Sequence, residues 1–493
     1  MGTSLRSDNR HPVNRMTINL QIRKHLGTIS MAAPVAVALS LRLLLLLVTV
    51  HATGVSVLTE GDTFSYLRPG MELIRNGRFF SDGMPEIDRT PGYPIFAMLC
   101  GAFHGHTILV SCVQILLAVL SVILVARIAN RIFQRPRAGL AAAWFFACDP
   151  VSIEYSLRLM SETLFVFLLL LFLDRMIAYL ESGKTQALLI AALLLVSATY
   201  VRPVSYWMTL FVAVFVAAIQ FFNRDQSIGK HKWLAVGQAS LFLAVSALLL
   251  IPWQLRNFDR SGYAGFSSIV EKNLYFYEAA AVTATLNHRT LTAEQTDLGM
   301  QDDQYLVIHP EQKTWTRSMR LKFMRDQSMQ VLVAHPFVFA ETYLTGLGLV
   351  TFSPGATEFL RMTGITQVHR ISLAEYLRQT SAGNGAAAFR LLDIPAATLV
   401  LIAFEGFLLA LYFGVAQSVV HGRRWGAKVY WIALVSLYFL LLSGGGQAVS
   451  RLRTPAMPCL AILAGGGMAA IFDAREKRSK YSGKGRNGDP GRI

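Results

Sequence analysis

Asp62, Asp88 and Arg89 stand in one polar stretch, residues 60–94, which carries six carboxylates and four arginines between two long apolar runs. A carboxylate can take the proton of an attacking hydroxyl or amine, and an arginine can hold a phosphate through its planar fork of donors. Acids and arginines recur where other apolar runs break, each near a proline: Asp149-Pro150, Arg202-Pro203, Pro252-Trp253 with Arg256, and Arg451-Leu452-Arg453-Thr454-Pro455. Gathered on one face, these groups would suit an anionic substrate whose lipid tail stays in a bilayer. The chain has no P-loop, HExxH, CxxC or GxSxG pattern, and it suggests neither a metal site nor a cofactor. Gly444–Gly446 and Gly465–Gly467 lack the Lys-Ser/Thr of a phosphate loop and read as close helix contacts.

Such residues need elements to position them. Of the 493 residues 53% are hydrophobic and 15% charged, which is too apolar for a soluble domain. Apolar runs recur at about 31–58, 106–125, 138–148, 163–179, 186–200, 204–222, 233–252, 396–420, 430–442 and 455–472. The fold class is an all-α polytopic membrane protein with about ten crossings. Arg42 interrupts the first run and needs a partner at that depth. The four cysteines lie in or beside apolar runs and read as packing residues. The first apolar run reads as a retained signal-anchor helix.

The net charge of +16 sits in short pieces: +4 in 1–25, +4 in 127–137, +2 in 223–232, +3 in 423–428 and +4 in 473–493. Charge in short loops and tails is the positive-inside pattern and argues against a nucleic-acid face. Basic ends on the inside require an even number of crossings. The moderately apolar piece 331–352, which contains His335-Pro336 and Glu341, therefore reads as an interfacial or re-entrant helix. The expected organisation is a basic cytoplasmic segment 1–30, a membrane module 31–252 with a first outer loop 59–105, a long outer loop 253–395, membrane helices 396–472 and a basic cytoplasmic tail 473–493. In the first outer loop Tyr66 follows Asp62 by one helical turn. The segment up to Gly77 predicts an amphipathic helix with Phe64, Leu67, Met71 and Ile74 toward one side.

At this point the chain resembles the GT-C superfamily of polyprenyl-phosphate-sugar-dependent glycosyltransferases. The closest branch is family 39-like, which includes protein O-mannosyltransferases and lipid A aminoarabinose transferases. The residues that carry the resemblance are Gly61-Asp62 with Tyr66, Arg89-Thr90-Pro91-Gly92-Tyr93-Pro94, and Asp149-Pro150 with Tyr155 and Glu162. Pro252-Trp253 with Arg256-Asn257, His335-Pro336-Phe337, and Arg451 to Pro455 with Pro458 continue it. The resemblance implies a GT-C type helical bundle and a transferase that moves a sugar from a polyprenyl-phosphate donor to a lipid, glycan or protein acceptor outside the cytoplasm. The implied setting is a multi-pass protein of a bacterial inner membrane, facing the periplasm or exterior. It implies Asp62 as the base and Arg89 as a contact of the donor phosphate. Tyr66, Asp88, Tyr93, Asp149, Glu162, Arg202, Arg256, Arg451 and Arg453 are the further candidates for substrate binding. The family often has two adjacent acids at the first motif, and some branches have Lys-Pro-Pro where this chain has Arg89-Thr90-Pro91. Both departures blur the subfamily and the sugar.

Each residue also has a plainer reading. Asp62 can N-cap the helix that follows, Arg89 can pair with Asp88 or Glu86, Asp149 can start a turn, and Glu162 can sit in a helix first turn. Arg256, Arg451 and Arg453 can anchor at the interface, and His335 can simply start a helix. Tyr275, Phe276 and Tyr277 can line an acceptor groove or mark an interface. Three other functions compete. A secondary transporter would show repeats and mid-membrane acids; no repeat is found. A lipid-linked polysaccharide polymerase or ligase would share the architecture. A non-catalytic scaffold would have no use for Asp62, Asp88 and Arg89 together.

Overall fold

The computed structural model describes residues 13–59, 61–222, 230–300, 304–365, 395–421 and 426–484. Residues 223–229 and 423–425 of the basic stretches 223–232 and 423–428, and part of each terminal segment, lie outside the described residues. Helices stand at all ten apolar runs. The first seven are carried by α1 (Val13–Ala52), α4 (Thr107–Phe133), α5 (Pro136–Ala147), α7 (Glu162–Ser182), α8 (Thr185–Val201), α9 (Met208–Phe222) and α10 (Lys230–Ser261). Between them come α2 (Thr63–Asn76), α3 (Gly92–Leu99) and α6 (Pro150–Tyr155). Among the described residues six helices are long and apolar enough to cross a membrane, and four more are shorter but apolar. Their leucines at Leu44, Leu47, Leu116 and Leu248 point outward, 57–72% exposed, where lipid rather than water suits them.

Some boundaries differ from expectation. α1 begins at Val13, so the basic N-terminal segment is helical from there, and the run ends in a 3₁₀ turn at Val55–Thr59. α10 runs nine residues past Pro252, because its last turns dock: Trp253 Nε1 donates to Phe266 O at 3.0 Å. α4 stops where Gln134 turns left-handed (φ 53°), and Pro136 opens α5 at once. Asn130 Oδ1 accepts from the Gly139 amide at 3.1 Å across that hairpin.

Charged side chains tie the helix ends opposite Glu162. Asp174 accepts from Arg131 at 2.6 Å, and Glu181 pairs with Arg131 at 2.6 Å and with Lys428 at 2.8 Å. Nineteen residues of α7 part Glu162 from Glu181, roughly 28 Å at 1.5 Å per residue. Arg42, fully buried, donates to Ala38 O at 3.0 Å and Ala147 O at 3.2 Å, which joins α1 to the end of α5.

The long loop is built of short helices: α11 (Ile269–Asn273), a π-helical turn (Leu274–Ala279), α12 (Ala280–Leu286), α13 (Leu291–Asp297), α14 (Tyr305–Ile308), α15 (Arg317–Ala334), α16 (Pro336–Phe352) and α17 (Ala356–Met362). Residues 366–394 of the loop lie outside the described residues. Tyr275 and Phe276 are buried with Ile87, Leu321 and Met324, so they form a small core rather than a groove wall. The piece expected at 331–352 is split: Val331 to Ala334 end α15, and Pro336, which has no amide hydrogen to give, starts α16. Arg453 caps α16 by donating to Val350 O (2.9 Å), Thr351 O (2.9 Å) and Ser353 O (3.0 Å).

The last helices are α18 (Pro395–His421), α19 (Ala427–Leu441) and α20 (Met457–Lys484). α20 packs between α18 and α5, where a side chain at Gly467 would fall 2.0 Å from Gly414 O. The expected close helix contact thus holds at Gly465–Gly467. Gly444–Gly446 also lie close on helices, a side chain at Gly446 falling 2.2 Å from Tyr277 O, but they form a turn, in which Gly445 has φ +94°, rather than part of a helix. The only strands among the described residues are a two-residue hairpin, β1 (Phe80–Ser81) and β2 (Met84–Pro85), closed by an exposed Arg68–Asp82 pair.

Candidate active site

α2 carries Asp62 at its start, with Ser65 and Tyr66 in its first turn. Its apolar side splits in two. Tyr66 is buried and Leu67 and Met71 partly so, while Phe64 and Ile74 are 55% and 48% exposed, as befits a helix lying at a membrane surface. Asp62 sits at the N-cap position, yet its side chain makes no cap hydrogen bond. Its carboxylate points at two arginines. Oδ2 accepts from Arg451 NH1 at 2.7 Å, and Oδ1 lies 3.2 Å from Arg89 NH2. Burial favours the neutral acid, but the charges of Arg451 and then Arg89 overrule it and hold the carboxyl well below the usual range.

Arg451 also binds Glu162 through Nε, and Glu162 Oε1 lies 2.6 Å from Arg202 NH1. The five charges thus alternate in one line: Arg89, Asp62, Arg451, Glu162, Arg202. Glu162 is wholly buried, whereas Asp62 is the open end at 40% exposure. Three guanidiniums share two carboxylates, so the set keeps one net positive charge. The contact between Arg202 NH1 and Glu162 is an ion pair without hydrogen-bond alignment, and among the described residues Glu162 Oε2 has no hydrogen-bond partner.

Arg89 is oriented by more than charge. Nε donates to Ser65 Oγ at 2.9 Å, NH1 reaches Tyr66 OH at 3.3 Å, and the guanidinium lies 4.5 Å from the Tyr66 ring centroid. Tyr66 OH in turn meets Ser161 Oγ at 3.1 Å, next to Glu162. Gly92 brings α3 against the end of α8: a side chain there would fall 2.6 Å from Tyr200 O. Tyr93 is buried, packs edge-on against Tyr66 at 5.1 Å and donates to Gln114 Oε1 at 2.8 Å, so it backs the site from behind.

Four candidates lie apart from this line. Asp88 does not pair with Arg89. It accepts from Lys272 at 2.5 Å and from Ser268, forms an ion pair with Arg317 at 2.9 Å, and fastens the loop 59–105 to the long loop. Burial opposes its charge, but Lys272 and Arg317 hold its carboxyl well below the usual range. Glu86 accepts from the amides of Asp88 (2.6 Å) and Arg89 (2.9 Å); burial and then the charge of Asp88 raise its carboxyl. Arg256 donates to Glu86 O and Phe79 O at 2.6 Å each. Asp149 caps α6 through the Ser152 amide at 2.9 Å, and burial raises its carboxyl. Arg453, two residues from Arg451, serves α16 instead, and His335 is an exposed helix boundary.

Ser65, Ser161, Ser268, Lys272 and Arg317 escaped the sequence reading. Their partners lie 24 to 229 positions away, and nothing local marks them. Among the described residues no three His, Cys, Asp or Glu side chains stand together as a metal would need.

Bundle and charged line together define an all-α multi-pass membrane protein with a part-buried line of alternating charges. Residues 88–251 match the family model described as dolichyl-phosphate-mannose-protein mannosyltransferase, and that stretch runs from Asp88 and Arg89 through Asp149, Glu162 and Arg202. Among solved structures the chain is similar to the archaeal oligosaccharyltransferase AglB from Archaeoglobus fulgidus in complex with an inhibitory peptide and a dolichol-phosphate. The two are 13% identical with a TM-score of 0.46, over 92% of this chain and 52% of that one. The apo form of the A. fulgidus enzyme matches with the same identity and TM-score, over 92% and 53%. The chain therefore spans about half the length of the solved structures it matches. No curated protein matches it.

Proposed function

We propose that this protein transfers a sugar from a polyprenyl-phosphate donor to an acceptor on the extracytoplasmic face of a membrane, with Asp62 as the base. The observation that carries the proposal is the placing of one part-exposed carboxylate between Arg89 and Arg451, beside Arg202. The donor phosphate lies against Arg89 and Arg451 while its polyprenyl chain stays in lipid. The acceptor oxygen or nitrogen attacks the anomeric carbon, the bond from that carbon to the phosphate oxygen breaks, and the polyprenyl phosphate leaves with the electron pair. Charge grows on that oxygen as the bond breaks, so arginines placed there act most in the transition state. With the phosphate drawing both guanidiniums, Asp62 is less tightly held and takes the acceptor's proton. The test is labelled polyprenyl-phosphate sugar mixed with purified protein and candidate acceptors. Label should move to an acceptor as polyprenyl phosphate is released; failure of both overturns the proposal.

Arg89→Ala is expected to slow transfer through a lost charge-assisted contact, and Arg89→Lys to restore part of it, since lysine keeps the charge but not the fork. Rates with limiting donor measure this. A native rate in Arg89→Gln would remove the phosphate contact from Arg89.

The same face carries the topology. We propose that both termini are cytoplasmic, in a bacterial inner membrane, with ten crossings and α16 re-entrant. Midway along it Tyr343 donates to Leu441 O, at the end of α19. Beyond it, at the end of α17, Met362 O accepts from Thr53 at 3.3 Å, just past the end of α1. Both contacts belong to the side that holds Asp62, as a helix that dips and returns requires. A reporter active only outside the cytoplasm, fused after Ile493, should stay silent; activity there would make α16 a crossing.

A further inference from the structure

Glu278 stands in the π-helical turn Leu274–Ala279 and has no place in the chemistry above. The segment that bears it links the two arginine-bearing parts of the site. At one end Lys272 and Ser268 hold Asp88, the neighbour of Arg89. Six residues on, roughly 9 Å along a helix, Glu278 lies on the turn Gly444–Gly446, which leads through Val449 into the 3₁₀ helix Ser450–Arg453 and so to Arg451. The carboxylate is pressed onto that turn: a side chain at Gly445 would fall 2.1 Å from Oε2, so the contact exists only because residue 445 is glycine.

Among the described residues Glu278 has no counter-ion, and its one hydrogen bond comes from the Gly446 amide at 3.4 Å. The groups around it are Tyr343 of α16, whose hydroxyl is committed to Leu441 O, its own neighbour Tyr277, and the backbone of the glycine turn. A part-buried carboxylate with spare acceptor capacity is costly unless something visits it. π-helical turns of this kind are frequent at functional sites.

We propose that Glu278 is the acceptor-binding residue of this site: its carboxylate receives a hydrogen-bond-donating group of the acceptor, a hydroxyl or an ammonium. The proposal rests on the sugar-transfer function above. It separates the two acids by task, Asp62 among the arginines and Glu278 on the acceptor side. Burial, opposed only by the Gly446 amide, pushes the Glu278 carboxyl up to about 7. It therefore loses its charge as pH falls through about 7, and the acceptor should bind more weakly below that pH.

The experiment uses the full chain in liposomes with labelled decaprenyl-phosphate mannose as donor. One arm supplies a serine- and threonine-rich peptide, the other phosphatidylethanolamine, so that hydroxyl and ammonium are told apart. In the arm that accepts label, Glu278→Gln should raise the acceptor KM by about tenfold or more, the scale of a lost hydrogen bond to a charged group. It should leave the kcat within about threefold and the thermal shift by decaprenyl phosphate unchanged. Native KM should climb from about pH 8 to about pH 6, while the Gln variant stays flat, and Glu278→Asp should recover part of the affinity. An acceptor KM within about twofold of native in Glu278→Gln, or a loss of decaprenyl phosphate binding along with turnover, overturns the proposal alone. A native protein that neither binds decaprenyl phosphate nor labels either acceptor overturns the sugar-transfer function and this proposal together.

Discussion

Asp62→Asn is expected to slow sugar transfer by roughly 10²–10⁴-fold, the usual worth of a general base. Asparagine keeps the size of the side chain but cannot take the proton. It also removes a negative charge from between Arg89 and Arg451, which leaves both guanidiniums freer for a phosphate. Donor binding should therefore hold or tighten while turnover collapses. That opposition separates a base from a structural acid. A helix cap would give another pattern, with Asn near neutral and Ala costly, but Asp62 makes no cap hydrogen bond. Transfer rate, decaprenyl phosphate affinity and thermal stability of Asp62→Asn and Asp62→Ala, measured together, decide it. Near-native turnover in a folded Asn variant would strip Asp62 of its role.

Arg451→Gln should hurt both stability and activity. Arg451 is 17% exposed and joins two acids, one of them, Glu162, with no exposed side-chain surface. Removing it leaves Glu162 to Arg202 alone, and breaking a buried pair in this way costs about 3–5 kcal/mol. Transfer should fall by roughly 10²–10³-fold, the scale of one lost transition-state donor. Arg451→Lys keeps the charge but cannot reach Asp62 and Glu162 with separate nitrogens, so it should rescue stability only in part. The pair Arg451→Gln with Glu162→Gln should restore part of the stability, since the buried carboxylate is gone although Arg202 loses its partner, yet not the transfer. Thermal unfolding in detergent beside turnover checks both arms. Equal recovery of stability and turnover in the double variant would make the pair a structural lock only.

The fold was legible because lipid imposes length. A helix stands at each of the ten apolar runs, and the errors fall at ends where tertiary contacts decide, as when the docking of Trp253 prolongs α10. The site was half legible. Asp62, Tyr66, Arg89, Glu162, Arg202 and Arg451 do converge. Asp88, Asp149, Arg256 and Arg453 look the same in sequence, acids and arginines near proline, but their partners place them elsewhere. Arg451 and Arg453 show why. In a 3₁₀ helix of three residues per turn, side chains two apart diverge by roughly 240°, so one faces Asp62 and the other the end of α16. Whether Asp88 served Arg89 or Lys272 likewise depended on a residue 184 positions away.

The knot at Asp88 also constrains how such a protein can change. Lys272, Arg317 and Ser268 of the long loop close on one carboxylate of the loop 59–105, and Arg256 and Arg317 hold the backbone at Glu86 and Pro85 from the same side. The two loops therefore behave as one inheritable part. A chimera that takes its long loop from a relative, in order to borrow a new acceptor preference, would import cations matched to a foreign first loop. It would leave the native Asp88 charged and unmatched. The grafts that keep their grip on the membrane helices are those that carry residues 79–89 and 256–317 together.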